Sequence, residues 1–412
     1  MTGQRVCILT SVHPAGDTRI YEKQALTLSE AGYEVSLIAP APHGSPAAGR
    51  DRRLPITLVL LRLPSHRLAR MTVGSLRILS AALRRRAAVY HFHDPELLPV
   101  GLVLKLLGAR VLYDVHEDYP EQILSKYYLP GVMRAGIARL FGLLEKVVAG
   151  SLDGVVAATD AIAGKFRHAR TVAVRNYPKA RDMTRNMTDF EGHNPIPLGN
   201  RDCVPRSVPS PSRRPFRLVH LAGTLTEERG ITNLVRAMER LGDGYELILA
   251  GKFVPEGYQT SVSALPGYRR TRHLGLIPHA RVWDVYGACD AGVVTLLPLP
   301  RYRVSLPVKM FEFMAAGLPV VASDFPLFGE IVERNRCGIC VDPTRPEAIA
   351  AAVRRLAADR DAAIEMGRRG RAAVLERYNW DNEARGLLAV YRAVAGKAVG
   401  PCGHQMERRL SV

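Results

Sequence analysis

Residues 305–332, SLPVKMFEFMAAGLPVVASDFPLFGEIV, decide how this chain folds. Ser305 has a helix-capping side chain, and Pro307 suits a first helical turn, where a missing N–H costs nothing. The helix KMFEFMAAG then stops at Gly317, with Pro319 close behind, the punctuation of a helix C-terminus. The next run, PVVASD, is apolar and β-branched and reads as a buried strand of a parallel sheet. Ser323 and Asp324 fall at its C-terminal end, where open α/β sheets take their ligands. The helix start is a ready anion site, with free N–H groups at the positive end of the dipole. Lys309 in the first turn is intrinsically unfavourable, which makes sense if it shares an anion. Glu312 lies three residues on, on roughly the same face. Such a group could hold a phosphate and a hydroxyl together; an exposed Lys–Glu pair is the plainer alternative.

The 412 residues exceed one ordinary core, so two domains are expected. Hydrophobic content of 47% and charged content of 23% place the chain among soluble globular proteins. No apolar run reaches the roughly 18–20 residues of a membrane span. The opening MTGQRVCILTS enters a strand directly and lacks a leader's apolar core, so a cytoplasmic location is expected. A net charge of +18 calls for an anionic partner: nucleic acid, an anionic membrane surface or a phosphorylated substrate. Basic residues spread over 62–86, 165–175, 201–214, 354–371 and 407–409, with no aromatic interleaving of the RNA-binding type, so nucleic acid is not expected. Six scattered cysteines make no disulfide framework, and Cys337-Gly-Ile-Cys340 lacks the second pair or His of a metal site.

From the N-terminus, RVCILTSV, the loop HPAGDTRIY, a helix and YEVSLIAP form a β-loop-α-β unit. Gly16 lets the loop approach a ligand, with Asp17 and Arg19 flanking it; no GxGxxG fingerprint is present. AVYHFH and RVLYDVH end in polar clusters, His91, His93, Asp94 and Glu96 in one, Asp114, His116, Glu117 and Asp118 in the other. Parallel strands bring both clusters to one sheet edge. A metal would need ligands from both, and no compact ligand motif supports one; His116 is expected to handle a proton or a hydroxyl. Two stretches, 72–87 and 132–148, mix cations with apolar residues and suit either core packing or a membrane surface.

Residues 181–215 are rich in Pro, Ser, Asn and Arg and read as a partly disordered linker. A second α/β series opens at FRLVHLAGTL, where Gly223 and Thr224 follow a strand and Glu228-Arg229-Gly230 opens a helix. Arg229 is a phosphate-type donor, and together with Lys309 it would bracket an anion near two helix starts.

In this order, GDTRIYEKQALTLSEAGYEVSLIAP, HDPELLP, YDVHEDYP, AGTLTEERGITNLVRAM and KMFEFMAAGLPVVASD resemble glycosyltransferase family 4, the group 1 type of retaining GT-B glycosyltransferase. The resemblance covers nearly the whole chain outside 185–214 and the tail. It implies two Rossmann-like doubly wound parallel-sheet domains facing across a cleft: 1–180 for the acceptor and 216–378 for the nucleotide-sugar donor. A terminal helix at 379–396 would cross back to the first domain, followed by a loose tail at 397–412. The implied donor is a UDP- or GDP-sugar, used without a metal. The implied acceptor is a hydroxyl of a saccharide or lipid-linked saccharide, in cell-surface polysaccharide synthesis at the inner face of the membrane. By motif, Arg229 matches the donor-diphosphate contact, Glu312 the second Glu of the E-x7-E signature near the ribose, and His116 the histidine near the transferred sugar. Gly16, Gly223, Thr224 and Lys309 fall on the donor side; Asp17, His93, Asp94 and Glu117 fall on the acceptor side.

Two positions depart from the family pattern. Val304 replaces the first signature Glu, and Thr224 stands where many members carry a second phosphate-binding Arg. Val304 cannot accept a sugar-hydroxyl hydrogen bond, and Lys309 could restore the lost positive charge. The rival readings are a GT-B nucleotide-sugar epimerase and a non-catalytic scaffold or glycan-binding protein of the same fold.

Overall fold

The computed structural model describes residues 3–42, 48–50, 56–124, 130–168, 170–179, 214–278 and 281–395. The chain divides into two units, one of residues up to Asn176 and from Trp380 onward, the other Tyr177–Asn379. Most of the linker expected at 181–215 and all of the tail expected at 397–412 lie outside the described residues.

The first unit holds β1 (Arg5–Leu9), β2 (Glu34–Pro40), β3 (Ala48–Arg50), β4 (Ile56–Leu61), β5 (Val89–Phe92), β6 (Arg110–Val115), β7 (Gly154–Ala157) and β8 (Thr171–Ala173). They form one sheet in the order β3-β4-β2-β1-β5-β6-β7-β8. Every pairing is parallel except β3 on β4, an antiparallel edge strand that no pattern in the sequence announced. Short apolar runs such as GVVA and VYHF are buried on both faces, as strands covered by helices on both sides must be. The order turns back between β1 and β5, so both polar clusters and the loop after β1 share one sheet edge. The last helix, Trp380–Ala395, belongs to this unit: Trp380, Leu387 and Tyr391 are buried against Ile8, Ile20 and Leu28.

The second unit is an all-parallel sheet of β9 (Phe216–Leu225), β10 (Tyr245–Phe253), β11 (Thr271–His273), β12 (Ala291–Val294), β13 (Val320–Ser323) and β14 (Gly338–Val341). Its order is β11-β10-β9-β12-β13-β14. The helix Ile231–Leu241 buries Ile231, Leu234, Val235, Met238 and Leu241, the spacing of one helical face. Both units are thus parallel-sheet α/β folds.

The opening stretch forms the helix Val308–Ala315 and β13. Its C-terminus is a Schellman turn: Gly317 has φ +74°, Leu318 N–H donates to Phe313 O at 2.9 Å, and Gly317 N–H donates to Met314 O at 3.0 Å. Its start differs from the expectation. Pro307 takes the cap position and Ser305 does not cap; its hydroxyl donates back to Tyr302 O at 3.0 Å, closing the preceding short helix Pro300–Arg303. Ser323 is also a sheet-internal group, buried and donating to Leu296 O at 2.8 Å. The helix sits directly on β12, because a Cβ on Gly292 would meet the Phe313 ring at 2.2 Å. Cys337 and Cys340 carry free thiols, which burial pushes up to about 11 and about 12, the values of unreactive cysteines.

Candidate active site

In the second unit, polar groups gather at the C-terminal ends of β9 and β12. Gly223 and Thr224 are exposed there, and a Cβ on Gly223 would meet nothing within 4 Å, so the strand end is open to a ligand. Glu227–Arg229 makes one tight turn that ends at Gly230. Gly230 has φ +77°, and a Cβ there would lie 1.9 Å from Thr295 O, so only glycine lets this turn close on the strand beside it. Glu228 ties the turn to the segment leading to Lys309: its carbonyl accepts from Leu297 N–H at 2.9 Å and its carboxylate pairs with Arg301. The Arg229 guanidinium has no hydrogen bond or ion pair among the described residues.

Lys309 Nζ donates to Glu312 Oε2 at 2.7 Å, and Tyr286 OH donates to the same oxygen at 2.6 Å. Glu312 is buried, so the pair is more than a solvated contact on the helix surface. The charges of both cations reach His220, a residue that VHLAGT did not single out in the sequence. Its Nδ1 pairs with Val293 O at 3.0 Å, while the buried Nε2 has no partner among the described residues. Burial, then the charges of Arg229 and Lys309, push His220 down to about 4. One neutral imidazole therefore feels both cations. Val304 lies at the end of Pro300–Arg303 with an exposed side chain.

In the first unit the centre is Asp114, fully buried at the end of β6. Arg19 Nη2 donates to it at 2.9 and 3.2 Å, and Gln24 donates to its Oδ2. Arg19 is itself buried and donates its other nitrogen to Val174 O at 2.7 Å. Three histidines, His91, His93 and His116, gather at the carboxylate. His116 Nε2 lies 3.4 Å from Asp114 and shares a 2.8 Å hydrogen bond with His93 Nδ1; His91 Nδ1 pairs with Tyr391 OH at 2.8 Å. Burial pushes His91 down to about 4 and His116 down to about 3, with Arg19 acting in the same direction, so the rings are neutral near pH 7. His116 keeps part of its surface, and its Nδ1 has no partner among the described residues. It is the ring a ligand can reach.

His93 and Asp94 stand elsewhere than an acceptor-contacting role requires, since both are buried. Asp94 Oδ2 accepts from Thr10 Oγ1 at 2.8 Å and Ser11 N–H at 2.6 Å, so it anchors the loop after β1. His93 supports His116 from behind. His91, His93 and Asp114 bring ligand-type atoms within 4.8 Å of one another. A divalent ion there would displace Arg19 and Gln24 from Asp114 and face the guanidinium, so the set fits a hydrogen-bond network better than a metal.

Another residue missed in the sequence is His13. It lies between Asp17 Oδ2 at 3.4 Å and Asp94 Oδ1 at 3.5 Å, with its ring 5.0 Å from that of His116. Asp17 also caps the helix starting at Thr18, accepting from Arg19 and Ile20 N–H at 2.9 and 3.0 Å. Glu117 is exposed, and Gly16 leaves open space above the loop. Burial alone would lower the pKa of His13, but the Asp17 hydrogen bond and the charges of Asp94, Asp17 and Glu117 outweigh it and raise it above 6.5. A raised histidine contributes stability below its unfolded pKa and loses it as pH rises through its folded pKa. The melting temperature of His13→Gln should therefore fall furthest below wild type under pH 6.5, with the gap closing at alkaline pH. A gap that does not change with pH would count against the clamp.

The sequence matches the family models for the glycosyl transferase 4-like domain, over residues 18–176, and for glycosyl transferases group 1, over residues 209–373. It is 27% identical to an alpha-maltose-1-phosphate synthase of Mycolicibacterium smegmatis over 75% of this chain and 89% of the relative. Identity to a GDP-mannose-dependent alpha-(1-6)-phosphatidylinositol monomannoside mannosyltransferase of Mycobacterium tuberculosis is 38%, over 38% of this chain and 50% of the relative. The chain spans about half the length of several curated relatives that it matches, such as 45% of an uncharacterized glycosyltransferase of Methanocaldococcus jannaschii at 30% identity. Among solved structures, the sucrose-phosphate synthase of Thermosynechococcus elongatus aligns with a TM-score of 0.71 at 19% identity, covering 94% of this chain and 98% of its own. HepE of Anabaena, solved in complex with UDP, aligns at 0.64 and 15%, covering 95% and 100%. These structural likenesses are ones of fold, and the fold is GT-B. With one family model on each unit, the chain belongs to the group 1 glycosyltransferases.

Proposed function

We propose that this enzyme is a retaining glycosyltransferase that moves a sugar from a UDP- or GDP-sugar to a hydroxyl of a saccharide or lipid-linked saccharide, in cell-surface polysaccharide synthesis. The observation that carries the reading is the pair Arg229 and Lys309, two cations bearing on one neutral His220 beside the open strand end at Gly223. That arrangement suits a diphosphate, which the guanidinium, the ammonium and the helix start at Val308 would hold. Structural neighbours solved with UDP support a nucleotide-sugar donor. Glu312, oriented by Tyr286 and Lys309, suits a hydroxyl of the donor.

In the reaction, the acceptor oxygen bonds to the anomeric carbon while the bond from that carbon to the diphosphate breaks. The hydroxyl proton passes to the departing phosphate oxygen on the same face. Arg229 and Lys309 take up the charge that develops there, so no metal is required. Glu312 is ion-paired and hydrogen-bonded and so is a poor nucleophile, which favours same-face displacement over a covalent intermediate. His116, neutral with Nδ1 outward, would contact the transferred sugar or the acceptor hydroxyl. Asp17 and Glu117 lie at the same edge, and Gly16 leaves room for the acceptor.

The enzyme would work on an anionic membrane surface. No helix of the described residues is long and apolar enough to cross a membrane. The helix Gly131–Ser151 instead exposes Met133, Ile137, Leu140, Leu144 and Val147 as one stripe. At 100° per residue, Arg134 falls about 100° to one side of the centre of that stripe, and Arg139 and Lys146 about 120° and about 140° to the other. Apolar face down and flanking cations at the headgroups is the geometry of an interfacial helix. A thermal-shift panel of UDP-, GDP- and ADP-sugars, with and without EDTA, tests the donor reading. One nucleotide class should stabilise the protein irrespective of chelator, and a flat response to all three would sink the reading.

A further inference from the structure

The first unit contains a cavity of about 590 Å³ that the donor chemistry does not use. It lies between the helices Tyr119–Leu124 and Gly131–Ser151, with Pro120, Ala135, Ala138, Gly142, Leu143 and Phe166 in its wall. Its volume is that of a small-molecule site, about 300–1,000 Å³ in general. The wall is apolar enough for burial to push Glu145 up to about 7, even though its carboxylate accepts from Tyr113 OH at 2.7 Å.

Two connections give the cavity a meaning. Glu117, the residue that follows His116 in the chain, is one of its lining residues. Leu143 belongs both to the cavity wall and to the edge of the exposed apolar stripe on Gly131–Ser151. Apolar surface is therefore continuous, through Leu143, from the outer face of the helix to the cavity wall. Its charged groups are graded. Asp118 is paired with Lys165, while Arg139 and Lys146 are exposed among the cavity's lining residues, Lys146 bearing on Glu145. A ligand matched to this surface has a hydrocarbon chain and an anionic group close to it.

We propose that this cavity seats the hydrocarbon chain of an amphiphilic, phosphate-bearing acceptor, with its reacting hydroxyl delivered toward His116. The inference rests on the glycosyltransferase reading and narrows the acceptor to an anionic lipid. The chain would slide in past Leu143 from the surface on which the stripe rests, and Arg139 and Lys146 would meet the phosphate.

The test uses the full chain and dodecyl phosphate below its micellar concentration, followed by calorimetric titration, with inorganic phosphate as the headgroup-only arm. One dodecyl phosphate should bind per chain while inorganic phosphate does not saturate. Ala135→Phe, which fills the cavity, and Leu143→Ser, which alters only an exposed side chain, should each weaken binding about tenfold. Both variants should keep the wild-type response to nucleotide sugars. Absence of saturable binding, or binding that neither variant changes, overturns the proposal. If phosphatidylglycerol vesicles then still retain the protein, the stripe is a membrane surface and the cavity is not a chain site. A dimer dispersed by Leu143→Ser, with no dodecyl phosphate bound, overturns it in favour of a second copy. Dodecyl phosphate binding in a chain that answers to no nucleotide sugar supports the cavity and sinks the donor reading instead.

Discussion

Arg229→Ala and Lys309→Ala should each lower kcat by about 10²–10³-fold, the usual loss when one preorganised charge partner of a transition state is removed. The two residues arrive from different elements: Arg229 from the turn closed by Gly230, Lys309 from the first turn of Val308–Ala315. Both nevertheless depress the same buried imidazole, so their charges act on one region. A diphosphate leaving group gains charge as its bond to the sugar breaks, so its stabilisation grows toward the transition state. The loss should therefore fall mainly on kcat and less on donor KM. Because both cations serve one phosphate group, Arg229→Ala with Lys309→Ala should cost less than the sum of the single losses. Lys309 also orients Glu312, so Lys309→Ala should additionally weaken discrimination at the donor hydroxyl, whereas Arg229→Ala should not. Near-normal turnover in both single variants would remove the anion site from the mechanism.

Much of this could be read from residue order. Gly317 with Pro319 marks a helix end by its chemistry, and the Schellman bonds at Phe313 and Met314 are its direct consequence. The short β-branched runs at 154–157 and 320–323 could only be covered strands, and the structure buries both. Ser305 failed as a cap because its hydroxyl donates back to the Tyr302 carbonyl and accepts no N–H of the next helix. The end of Pro300–Arg303 claimed it, and spacing along the chain cannot arbitrate between a forward and a backward bond. β3 is three residues long and pairs antiparallel at an edge, below what any periodicity can register.

The sites show the same division. The pairing of Lys309 with Glu312 could be read from their spacing of three residues at a helix start, and the structure makes that bond at 2.7 Å. His93 and Asp94 looked like ligand contacts because a polar cluster at a strand end has two uses, to face a ligand or to hold the loops that do. Only the depth of each side chain tells them apart, and depth depends on residues more than eighty positions away, such as Thr10 and Ser11 for Asp94. His13 and His220 carried no local signal. Each matters through charges supplied by other elements.

The largest stability effect should come from the buried ion pair of the first unit. Removing one partner of such a pair costs about 3–5 kcal/mol, because the other charge is left without compensation. Arg19→Met should therefore lower the melting temperature of this unit by on the order of 10 °C, taking about 2–4 °C per kcal/mol for a domain of this size. Burial would raise Asp114, but the charges of Arg19, His116 and His91 and the Gln24 hydrogen bond hold it below its ordinary value. A depressed carboxylate contributes stability above its unfolded pKa and loses it as pH falls through the folded value, so this contribution is complete throughout the neutral range. The histidines run the other way. Held neutral at about 4 for His91 and about 3 for His116, they make the unfolded chain bind more protons below pH 6.5, so wild-type stability rises with pH up to that point. Arg19 is one of the causes that depress them. Without it, His116 can take up a proton and face Asp114 as an imidazolium, replacing part of the lost pair. The deficit of Arg19→Met should accordingly be smaller near pH 5 than near pH 8, within the window where histidine titrates. Asp114→Asn combined with Arg19→Met removes both charges and should recover much of the loss, with the pH dependence of the deficit largely gone. If the double variant is no more stable than Arg19→Met, the pair acts through packing and the charge argument for this site is wrong.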